Sequence, residues 1–187
     1  MTNPLPYAHS TRRNLEYGRV RVDPGNTAFW EGKEFRISRE FVVGATPLVF
    51  KFDAPVDFIL QSQSLTCDIG NIRFRAYRAA QGVESGTFDI IEPIYQQNGI
   101  AGTKGLDSIV ALTTGGTFIP NEGEVATETI RLRVSNSTSG QTSVSGTLGD
   151  ERGLPSGVYY LELARIDGND TATGVFDLKW EERRPDE

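Results

Sequence analysis

Apolar residues in this chain recur at every second position, in short runs that glycine, proline and polar turn residues keep cutting off. That period belongs to strands with one buried face, and no stretch sustains the i, i+3, i+4, i+7 spacing of an amphipathic helix. Residues 34–44 set Phe35, Ile37, Phe41 and Val43 on one face; Arg39 interrupts it and predicts a bulge or register change there. Leu48, Phe50 and Phe52 share a face with Lys51 opposite, and Pro47 and Pro55 bracket the run as turns or edges. Residues 56–67 read as a long strand broken by a bend. Residues 71–79 place Ile72, Phe74 and Ala76 against Arg73, Arg75 and Tyr77, and residues 127–134 place Ile130, Leu132 and Val134 against Thr129, Arg131 and Arg133.

The C-terminal part alternates most cleanly. Tyr159, Leu161 and Leu163 share one face of 157–166, and Phe176, Leu178 and Trp180 share one face of 174–182. The turn formers between them predict an antiparallel hairpin with a long loop. The middle is loop-rich: 80–86 and 99–104 read as turns, 87–91 and 108–112 as short strands, and a further short piece surrounds Phe118. Residues 135–149 are nearly all Ser, Thr, Gly, Gln and Asn, which fits a loop or two polar edge strands. About eight to ten short strands with Gly/Pro turns predict an all-β fold, an antiparallel β-sandwich of jelly-roll type, with a smaller β-barrel as the competing architecture.

The chain has 187 residues, which suits one domain with an arm: residues 1–33 as an extended N-terminal arm and 34–183 as the sandwich. The formal charge is −6. Residues 1–21 nevertheless hold Arg12, Arg13, Arg19 and Arg21 against Glu16 alone, so a basic arm precedes an acidic body. Such an arm suits an acidic neighbour, including another copy of the chain. An acidic body argues against a general nucleic-acid coat. No run reaches the ~20 apolar residues of a membrane helix, and the N-terminus lacks the basic start and apolar core of a signal peptide. The expectation is a soluble protein made in the cytoplasm.

Little in the chain carries catalytic chemistry. One cysteine excludes an intrachain disulfide, and Cys67 ends an apolar-polar strand pattern as a buried structural thiol would. The one histidine, His9, sits in the proline-rich arm, a poor place for a rigid base. No Gly-x-Ser-x-Gly elbow and no Gly-rich phosphate loop is present. Paired carboxylates for glycosidase chemistry cannot be singled out among 25 acids. Asp167, Asn169 and Asp170 offer calcium-type oxygens, yet lack EF-hand spacing and are equally explained by turn chemistry. The expectation is therefore no enzyme, no cofactor and no metal. Two strands carry Arg-x-Arg, at Arg73 and Arg75 and at Arg131 and Arg133. Side by side they form a basic stripe, which either pairs with acids on adjacent strands or meets an acidic partner. Trp30 lies near the arm–body junction and suits an anchor; Trp180 reads as core. A carbohydrate-binding module would need exposed rings, for which Tyr77, Tyr95 and Tyr160 are the candidates.

The stretch Ile37-Ser-Arg-Glu-Phe-Val-Val-Gly-Ala-Thr-Pro-Leu-Val-Phe-Lys-Phe52, with Pro55-Val-Asp-Phe-Ile-Leu-Gln-Ser-Gln63 and Asn71-Ile-Arg-Phe-Arg-Ala-Tyr-Arg78, resembles small virion structural proteins of tailed bacteriophages. Glu151-Arg-Gly-Leu-Pro-Ser-Gly-Val-Tyr-Tyr-Leu161 and Trp180-Glu-Glu-Arg183 extend the resemblance over the greater part of 36–183. It implies a β-rich particle component, foremost a capsid decoration (cement) protein. Such proteins sit as trimers on the outer head surface and bridge neighbouring copies of the major capsid protein. On this reading the arm, through Arg12, Arg13, Arg19, Arg21 and Trp30, makes the partner contacts, and the chain resides on the virion after synthesis in the host cytoplasm. A tail or adaptor component of the same particle and a carbohydrate-binding module are the alternatives.

Overall fold

The computed structural model describes residues 27–91, 94–98, 107–133, 151–166 and 171–184. A single helical turn, α1 (Thr27–Trp30), leads into thirteen strands: β1 (Glu34–Val43), β2 (Leu48–Ala54), β3 (Phe58–Ile69), β4 (Asn71–Arg78), β5 (Gly82–Ser85), β6 (Asp89–Ile90), β7 (Tyr95–Gln96), β8 (Ala111–Thr114), β9 (Thr117–Pro120), β10 (Glu128–Arg133), β11 (Arg152–Leu154), β12 (Gly157–Arg165) and β13 (Ala172–Glu182). No helix among the described residues is long and apolar enough to cross a membrane.

Two antiparallel sheets form an all-β sandwich. The first runs β11-β3-β13-β1-β7 and the second β10-β4-β12-β2-β8-β6; a separate ribbon pairs β5 with β9. The alternating apolar positions of both sheets point at one another, as the period-2 pattern requires. Phe176 of the first sheet stacks on Phe50 and Phe74 of the second, at ring-centroid distances of 5.5 and 5.8 Å. Trp180, fully buried, meets Phe52 edge-on at 5.3 Å. Aromatic pairs of this geometry add ~0.5–1.5 kcal/mol each beyond the area they bury.

Consecutive strands cross from one sheet to the other. Gly70 alone separates β3 from β4; its φ of 82° is a left-handed value, and a Cβ there would meet the Thr171 carbonyl oxygen at 2.7 Å. The same crossing corrects the expected C-terminal hairpin: β12 pairs with β2 and β4, whereas β13 pairs with β1 and β3. Both strands are apolar on the face that meets the other sheet, a pattern that pairing and stacking satisfy alike, and closure of the two-sheet core places them in opposite sheets.

Arg39 does not produce the expected bulge. The β1–β13 register is continuous through Arg39 opposite Phe176, and β7 covers β1 only at Phe35 and Arg36. The strand is therefore open beside Arg39, which is partly exposed with its Nε buried. The irregularities lie in β3, which skips Gln61 and Asp68 against β13 and so bends where a break was expected. The expected turn at 80–86 is a 3-10 turn, Ala79–Gln81, followed by strand β5.

The ribbon folds onto the outer face of the second sheet and makes a second core. Phe118 stacks on Tyr160 at 4.1 Å and packs on Tyr77 at 5.6 Å, with Val49 beneath. Lys51 Nζ donates to Glu84 Oε2 at 2.7 Å, and the Tyr160 hydroxyl donates to the same oxygen.

Candidate partner-binding surface

The alternation of β4 and β10 decides where their arginines stand. Ile72, Phe74 and Leu132 face the core, so Arg73, Arg75, Arg131 and Arg133 stand on the outer face of the second sheet. The register sets Arg131 directly opposite Arg73 and Thr129 opposite Arg75. Cβ atoms of directly opposed residues lie roughly 5 Å apart, and like charges so placed repel.

Among the described residues one acid answers these arginines. Glu162 of β12 lies opposite Arg75 across the other edge of β4, and it is buried. Arg75 donates to Glu162 Oε1 from Nε at 3.0 Å and Nη2 at 2.6 Å, while Arg73 Nη2 stands 3.9 Å from the same oxygen. The Arg75 guanidinium also lies 5.5 Å from the Tyr77 ring centre. Arg131 and Arg133 are exposed. The two readings of the stripe thus divide between its strands: β4 is answered by an acid, and β10 offers its guanidiniums outward.

No protein-family model, curated protein or solved structure matches this chain.

The remaining buried acids hold the sandwich together. Glu182, fully buried, accepts from Ser108 Oγ at 2.6 Å and Arg184 Nε at 2.8 Å, which fastens residues 107–110 to β13. Glu34 accepts from Gln61 Nε2 at 2.7 Å and pairs with Lys179 Nζ at 3.1 Å. Glu181 lies directly opposite Glu34. Burial raises its carboxyl above the ordinary range, Arg183 opposes that shift, and Glu34 adds to it. Glu84 is held below its ordinary value by the hydrogen bonds from Lys51 and Tyr160. The same contact, after burial itself, raises the Tyr160 phenol strongly. Among the described residues no group of three His, Cys, Asp or Glu side chains is placed to hold a metal ion.

Arg12, Arg13, Arg19, Arg21 and His9 lie outside the described residues, as do 134–150 and the Asp167–Asp170 loop. Trp30 is half exposed on α1, with its ring edge-on to Phe29 at 5.2 Å. Trp180 is core. Cys67 is buried, and its thiol donates to the Ile69 carbonyl at 3.3 Å; burial and then Asp68 push its pKa up, away from the reactive thiolate. Of the tyrosines considered for sugar stacking, Tyr77 and Tyr160 are buried under the ribbon and only Tyr95 is exposed. Sequence reasoning missed Glu162 as the partner of Arg75, although it is the one charged residue in the run from Gly157 to Ala164.

Proposed function

We propose that this chain is a non-enzymatic structural component of a phage particle, a capsid decoration protein that docks on an acidic surface of the capsid and bridges its subunits. The observation that carries the reading is the opposition of Arg73 and Arg131 on an exposed sheet face, answered among the described residues by Glu162 alone. A fold that keeps like charges face to face gives up stability there, and an acidic partner recovers it on binding. The strand order supports the jelly-roll form: β11-β3-β13-β1 faces β10-β4-β12-β2, and strands β1 to β4 and β11 to β13 alternate between the two. The basic arm, with Arg12, Arg13, Arg19 and Arg21, adds contacts of the same sign, and Trp30 supplies an aromatic anchor at its base. A trimer on the head surface follows from the family resemblance.

The test is co-sedimentation of purified chain with particles that lack it. Arg131→Glu with Arg133→Glu should abolish binding and leave the thermal midpoint unchanged or higher. Rising salt should weaken wild-type binding. Removing residues 1–21 should weaken binding and leave the sandwich folded. Undiminished binding by the double variant would reject the arginine face.

A further inference from the structure

The two sheets do not close completely at the end where β4 ends and β10 begins. A cavity of about 210 Å³ remains between them, walled by Phe58, Leu60, Leu161 and Leu178. For comparison, an apolar cavity of ~150 Å³ accepts benzene. This one has room for a ring with a short alkyl chain.

Gln63 lines the cavity, sits directly opposite Leu178 in the β3–β13 register, and is 2% exposed. Its position on the strand belongs to the inward face that Leu65 and Cys67 share, where every other rule of this core calls for an apolar side chain. Its Nε2 has no hydrogen-bond partner among the described residues. A buried amide donor left open is costly, and leucine would fill the same volume without that cost. At the mouth, Glu128 and Arg152 join the edge strands of the opposing sheets, with Arg152 Nη2 at 3.2 Å from Glu128 Oε2. Glu128 Oε1 is buried and has no partner among the described residues. The cavity therefore has an apolar body, with an unpartnered amide donor and an unpartnered carboxylate oxygen buried in its wall.

We propose that this inter-sheet cavity is a binding site for a small, uncharged, largely apolar molecule carrying a hydroxyl group, of the alkylphenol or medium-chain alcohol class. The hydroxyl oxygen accepts from Gln63 Nε2. A bare hydrocarbon leaves the Gln63 donor open. The site lies inside the sandwich, away from the arginine face, and is independent of any particle.

The experiment is calorimetric titration of the full chain with 4-propylphenol and, separately, propylbenzene, repeated on Gln63→Leu. Gln63→Met, which also keeps the volume and removes the donor, serves if the leucine variant does not fold. The wild-type chain should bind the phenol saturably at one site and prefer it about tenfold over the hydrocarbon, the equivalent of one net hydrogen bond. Removing the donor should erase that preference. Absence of saturable binding, equal affinity of the wild-type chain for the two probes, or a preference that survives loss of the Gln63 amide would overturn the proposal.

Discussion

Arg75 and Arg131 stand on the same sheet face and should respond oppositely to truncation. Arg75→Ala leaves the buried Glu162 carboxylate with Arg73 alone, at 3.9 Å, and should cost ~1–3 kcal/mol in denaturant unfolding. Arg131→Ala removes a charge opposed to Arg73 and should be neutral or slightly stabilising. A second residue-scale contrast concerns pH. The Glu181 carboxyl is raised in the folded chain, so its ionised form is the disfavoured one. The stability tied to its protonated form is fully present below the unfolded pKa and is lost as pH rises through the folded pKa. Glu181→Gln should therefore raise the melting temperature at neutral pH, and the gain should shrink on acidification through the carboxylate range. Glu84 has the opposite sign: its lowered pKa contributes stability above the unfolded value that is lost as pH falls through the folded one.

Among the elements, β3 and β13 carry the tightest constraint. Their register shifts at Gly174, where a Cβ would stand 1.9 Å from the Thr66 carbonyl oxygen and 2.8 Å from the Phe41 ring. Neither neighbour can yield without moving a strand, so Gly174→Ala should cost ~2 kcal/mol or more in chemical denaturation. The β5–β9 ribbon is held chiefly by Phe118 on Tyr160. Phe118→Ala should cost ~3 kcal/mol within the ribbon and speed amide exchange in Gly82–Ser85 and Thr117–Pro120 while leaving β12 and β13 protected. Strand existence was legible because alternation reports one buried face: Phe35, Ile37, Phe74, Leu163 and Trp180 are all where the period places them. Strand partners were not legible. The 157–166 and 174–182 runs satisfy hairpin patterning equally well whether they pair or stack, and only closure of the whole core decides. The ribbon was hidden for a related reason: Val83, Phe118 and Ile119 form too short a pattern to separate a strand from a turn.

At the scale of the molecule, the acidic composition conceals a basic face. The net charge of −6 says nothing about where the charges lie. The two Arg-x-Arg runs signalled a stripe, but whether they adjoin depends on β10 returning to β4 across the intervening ribbon. Gln63 was equally invisible, since one polar residue on an apolar face gains meaning only once the cavity beside it is known. The proposed role, contact repeated over many identical sites, rests on the arginine face.

The most direct test of that role is the stoichiometry of this chain in purified particles, measured by quantitative mass spectrometry against the major capsid protein. Decoration predicts a ratio close to one copy per capsid subunit, or a simple fraction of it set by the symmetry of the shell. A trace proportion, as for a tail part, or absence from the particle would contradict the account.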